Sequence, residues 1–119
     1  MVSQMTEDDV TGSISAAPSS PDAPPLPALS AQDWSIARLA LANALDPQGA
    51  GAMVSWENPA SGVRGAITPV GAIYVADGQT CRAFLADIGG KAPARRLQGR
   101  GCRDASGQWA VSDLKPFGA

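Results

Sequence analysis

Histidine is missing altogether, and with it the side chain most often used as a general base near neutral pH. Cysteine is scarce: Cys81 and Cys102 stand alone, so a metal site would be poor in sulfur and imidazole ligands. Aromatic residues make up 5% of the 119, which argues for a small core and leaves few rings for stacking on nucleic-acid bases. No apolar run reaches the roughly 18 residues of a membrane-spanning helix. The opening MVSQMTEDDV has no basic stretch followed by an apolar one, so an export signal, if the protein had one, is expected to have been removed. Catalytic patterns are missing as well. Ser55, Ser61, Ser106 and Ser112 have no elbow motif around them, and Asp87, Asp104 and Asp113 are too scattered for a carboxylate pair. The Gly-Gly-Lys ending at Lys91 has neither the spacing nor the hydroxyl residue of a phosphate loop and reads as a hairpin turn. A non-enzyme with no cofactor and no metal is the expectation.

Proline and glycine are plentiful, at 10 and 13 residues. Five of the six prolines before Pro59 fall in residues 1–29, among Ser, Ala and Asp and with few large apolar side chains. Such a stretch buries too little surface to offset its ordering entropy, so 1–29 is expected to be a disordered linker and 30–119 the folded domain. A flexible chain of that length spans on the order of 30 Å. Charge is divided unevenly: residues 1–50 hold six acids and one base, residues 51–119 eight bases and five acids. The folded part is therefore mildly basic, at +3, too little to point to nucleic acid.

Ser30 with Asp33 forms a capping-box pair, and Trp34, Ala37, Leu41 and Leu45 recur at helical spacing, with Ile36 and Leu39 expected to widen the stripe. A helix from Ser30 to about Leu45 follows, stopped by Asp46 and Pro47. It must borrow stability by docking, or else serve as a partner-binding helix. From Met53 the period changes to short β-rich runs: Met53–Glu57, Val63–Thr68, Ala72–Ala76, Gln79–Ile88, Ala94–Arg103 and Gln108–Asp113. Asp77-Gly78 suits a type I′ turn, and Asn58–Gly62 and Asp104–Gly107 supply longer ones. The fold class is α+β, mostly β: one N-terminal helix packed on a small antiparallel β-meander or partly open barrel.

If IGGKAP is a hairpin loop, pairing Cys81 with Cys102 sets Ala83 opposite Arg100, Leu85 opposite Gln98 and Phe84 opposite Gly99. A glycine facing an aromatic leaves room for the ring to lie across the neighbouring strand, which favours this register. A disulfide there would close a loop of about twenty residues and contribute roughly 3 kcal/mol. Two free cytosolic thiols are the alternative. Trp56 and Trp109 read as core residues.

The segments SWENPASGVRGAITPVG, GQTCRAFLADIGG and GRGCRDASGQWAV resemble the surface-antigen domain of small alphaproteobacterial envelope lipoproteins, related to the seventeen-kilodalton rickettsial common antigen. The likeness covers about Val54 to Val111. It is carried by the Trp-x-Asn-Pro-x-x-Gly turn at Trp56–Gly62, by Cys81-Arg82 and Cys102-Arg103, and by Gly107-x-Trp109. The resemblance implies an exported protein with paired cysteines, tethered to the outer membrane through a lipidated cysteine, and it implies no catalytic residue. No cysteine precedes Cys81, so either a lipidated start lies upstream or this member is soluble in the periplasm.

Arg82, Lys91, Arg95, Arg96, Arg100 and Arg103 all fall on the one expected hairpin. Alternation puts Arg96 with Arg100 on one face and Arg95 with Arg103 on the other. They are candidate contacts for anionic partners, namely an envelope protein, lipid phosphate or peptidoglycan, or else plain solubilising charge. Two functions stay open: a structural or interaction module of the cell envelope, tethered at the outer membrane, or a soluble periplasmic binding or inhibitor module for an envelope polymer or enzyme.

Overall fold

A computed structural model describes residues 24–117. The helix α1 runs over Ala31–Leu45 and begins as the sequence predicts. Ser30 Oγ accepts from the Asp33 N–H at 3.0 Å, and the Asp33 carboxylate accepts from the Ser30 N–H at 3.0 Å. Trp34, Ala37, Leu41 and Leu45 are buried on one stripe. Ile36 is partly buried against that core, but Leu39 is 66% exposed and does not belong to the stripe. At about 100° per residue, Leu39 lies about 160° around the helix from Leu41. Ala40 and Ala44 widen the buried face instead, and their small side chains let the helix sit close to the sheet.

Five strands follow in chain order: β1 Val54–Asn58, β2 Val63–Ala76, β3 Gln79–Gly90, β4 Arg95–Arg103 and β5 Trp109–Pro116. They form one antiparallel sheet in the order β1-β2-β3-β4-β5, an open meander. The runs expected at Val63–Thr68 and Ala72–Ala76 are one strand, β2, with a shift of register between Val70 and Tyr74. Pro69 does not end that strand, because β1 pairs only as far as Ile67 and an unpaired edge tolerates proline. Asp77 and Gly78 both have positive φ, 50° and 76°, as a type I′ turn requires. The β3–β4 register is the expected one: Cys81 opposite Cys102, Ala83 opposite Arg100, Phe84 opposite Gly99, Leu85 opposite Gln98.

One face of the sheet takes the helix. There Trp56, Ile67, Phe84, Ala86, Ile88, Leu97 and Trp109 meet Trp34, Leu41 and Leu45 in a single core. Two glycines make the fit possible. A Cβ at Gly99 would come within 3.2 Å of the Phe84 ring, and one at Gly101 within 2.6 Å of Leu45 Cδ1. Packing extends ahead of the helix, since Leu29 is buried and Leu26 packs beside it. The rest of the stretch read as a linker, residues 1–23, lies outside the described residues. The opposite face, bearing Thr68, Val70, Ala83, Leu85, Gln98 and Arg100, has no layer over it among the described residues.

Candidate functional site

Asn58 ends β1 and is buried, which a polar side chain tolerates only with partners. Its Nδ2 donates to Asp33 Oδ1 at 2.8 Å, and its Oδ1 accepts from the Ala60 N–H at 3.1 Å. Pro59 and Ala60 turn the chain so that Ser61 Oγ donates to the same Asp33 Oδ1 at 2.6 Å. Gly62, at φ 76°, donates its N–H to the Asn58 carbonyl and accepts from the Lys91 N–H with its own. The aromatic-proline turn is thus a latch: it ties the N-terminus of α1 to the β1–β2 turn and to the β3–β4 turn. Burial pushes the Asp33 carboxyl up, but the hydrogen bonds from Ser61, Ser30 and Asn58 outweigh it and hold the group below its ordinary 3.8. The sequence identifies Asp33 as a cap and Asn58–Gly62 as a turn, but not that the two meet. They are 25 residues apart, and a hydrogen bond at that separation leaves no periodic trace.

The second motif turn is built the same way. Asp104 Oδ1 accepts from Ser106 Oγ at 2.6 Å and from the N–H groups of Ser106 and Gln108. Ser106 and the backbone bonds hold its carboxyl below the ordinary value. Trp109, which follows, is buried under the helix end.

Cys81 and Cys102 are joined by a disulfide across β3 and β4, on the face away from the helix. Cys81 is fully buried.

The six basic residues do not form one cluster. Arg96 and Arg100 share the open face, as alternation predicts, and each is held by a carboxylate at 2.8 Å: Asp87 for Arg96, Asp113 for Arg100. Arg100 also donates to Ser112 Oγ and the Tyr74 hydroxyl. Arg82, Arg95 and Arg103 have the opposite alternation. Arg82 Nε donates to the Gly71 carbonyl, Arg103 lies over the Trp109 ring at 5.5 Å, and Arg95 is exposed at the start of β4. Lys91 sits in the β3–β4 turn, its stem against Gly62. No group of three or more acidic or cysteine side chains among the described residues is placed to hold a metal ion. No helix among them is long and apolar enough to cross a membrane.

Residues 43–110 match a family model described as the 17 kDa outer membrane surface antigen. Among curated proteins, the 17 kDa surface antigens of Rickettsia bellii and Rickettsia conorii are each 37% identical over 82 residues, covering 67% of this chain and 50% of the relative. That of Rickettsia prowazekii is 34% identical over the same length. The chain therefore spans about half the length of the curated relatives it matches. No solved structure matches it. The matched span runs from the last turn of α1 into β5, and so contains both motif turns and the disulfide.

Proposed function

Because this chain belongs to the 17 kDa outer membrane surface antigen family, we propose that it is a non-catalytic module of the cell envelope, tethered at the outer membrane and acting through contacts rather than chemistry. One observation carries the reading. The polar side chains of the motif turns, Asn58, Ser61 and Asp104, are taken up by internal hydrogen bonds. Asn58 and Ser61 hold one face of the sheet to the helix through Asp33, while Asp104 fixes its own turn, and the other face is left open among the described residues for a partner. A disulfide supports an oxidising compartment, since such bonds persist outside the reducing cytosol. The proline-rich stretch ahead of the domain serves in this proposal as the spacer to a membrane anchor, and the partner class is an envelope protein, lipid phosphate or peptidoglycan.

The test is fractionation of source cells with thiols trapped by alkylation at lysis, followed by cross-linking of intact cells. We expect the protein in the outer-membrane fraction, with Cys81 and Cys102 protected and an envelope component cross-linked. Recovery from the periplasmic wash overturns the tether and favours the soluble module. Recovery from the cytosol with two alkylated thiols overturns the envelope assignment itself.

A further inference from the structure

The open face of the sheet is grooved. Ala83 and Leu85 of β3 with Gln98 of β4 make the floor, Val70 of β2 stands on one side, and Lys115 and Phe117 stand on the other. The volume is about 350 Å³, within the range of small-ligand sites. Val70 and Phe117 expose 43% and 44% of their surface, a large share for apolar side chains flanking a common trough. From β2 to β5 the trough crosses three strand spacings, about 14 Å.

A bulge in β5 decides what charge stands at its rim. Arg100 pairs with Ser112 and Gln98 with Lys115, so the chain gains a residue between them, and Asp113 takes φ 57° there. Leu114 then points to the helix face against Gly99, Lys115 emerges on the open face beside Gln98, and Asp113 reaches Arg100. The bulge thus neutralises Arg100, and Arg96 is neutralised by Asp87 across β3, while Lys115 has no carboxylate partner among the described residues.

We propose that this groove binds a fatty acid, its acyl chain on Ala83, Leu85, Val70 and Phe117 and its carboxylate at the Lys115 ammonium. A largely apolar floor with Lys115, unpaired with any carboxylate among the described residues, at its edge fits a single chain with one negative charge. Asp113, close on the same rim, weighs against a more highly charged phosphate headgroup. The inference stands apart from the envelope assignment, because it rests on the groove and on β5 alone.

The test is an amide-shift titration of the full chain with monomeric dodecanoate, with dodecyltrimethylammonium and lysophosphatidic acid, whose phosphomonoester carries nearly two negative charges, in parallel. Saturable shifts at Val70, Ala83, Leu85, Gln98, Lys115 and Phe117 are expected with dodecanoate, at an affinity at least tenfold above that for the cation. Lys115→Glu should lose that tenfold preference, and Leu85→Gln should lose saturable binding, each with amide dispersion retained. Should Leu85→Gln fail to fold, the exposed Lys115→Glu variant decides the outcome. Equal affinity for the cation, shifts centred on the helix face, no saturation, or binding of the lysophospholipid without the fatty acid would each overturn the proposal.

Discussion

Asp33 is the residue on which most rests. It caps its own helix and accepts from both Asn58 and Ser61. Hydrogen bonds to a charged acceptor contribute about 1.5–3 kcal/mol each, and removing the acceptor leaves buried donors unpaired. Asp33→Ala is therefore expected to cost about 3 kcal/mol in urea denaturation, and Asp33→Asn, which keeps one acceptor oxygen, less. The carboxyl is held below 3.8 in the fold, so its contribution is complete above that pH and falls away as pH drops through the folded value. Stability measured from pH 5 down to pH 2 should fall more steeply for the parent chain than for Asp33→Asn. A parallel fall in both would remove Asp33 from the account. Of this site the sequence showed the cap, because a capping box is local, but not the latch, because nothing local links Asp33 to Ser61 across 28 residues.

Among the elements, the strands depend on how closely they lie against what covers them. Gly65 pairs with Trp56, and a Cβ there would meet the Asp87 carbonyl at 2.6 Å and Trp56 Nε1 at 2.7 Å. The indole packs closely against the glycine, as the Phe84 ring packs against Gly99. Gly65→Ala is expected to destabilise by about 2 kcal/mol, through displaced backbone and ring. Gly89→Ala on the adjacent strand, where a Cβ meets nothing within 4 Å, should change stability by less than about 0.5 kcal/mol. Equal melting temperatures for the two variants would refute this packing. The disulfide belongs to the same scale: it joins residues 21 apart across the β3–β4 hairpin. Replacing both cysteines with serine should cost about 3 kcal/mol, read as a shift of the urea midpoint. The Cys81–Cys102 register was legible because Phe84 and Gly99 constrain it locally. The continuity of β2 was not, since Pro69 and Gly71 read as breakers until β1 is seen to stop short of them.

At the scale of the whole molecule, the described residues share one core between helix and sheet, so neither half is expected to unfold alone. Leu41 is almost fully buried between them, and Leu41→Ala should cost about 3 kcal/mol. The loss should appear equally in helix ellipticity and in tryptophan fluorescence, with coincident melting curves. Separate transitions would mean that the sheet folds without its helix. The sequence by itself determined the elements and their order: the capped helix, the Asp77-Gly78 turn, the short connections that permit only an antiparallel meander, and the cysteine register. Each depends on residues within a turn or a hairpin of one another, where spacing alone dictates geometry. Tertiary structure alone decided which side chains the solvent sees. Asn58 is buried on Asp33, and Arg100 is answered by Asp113. Those outcomes depend on strands brought together across the sheet and on a bulge at Asp113, and the free energy of such contacts belongs to the assembled fold rather than to any local stretch of chain.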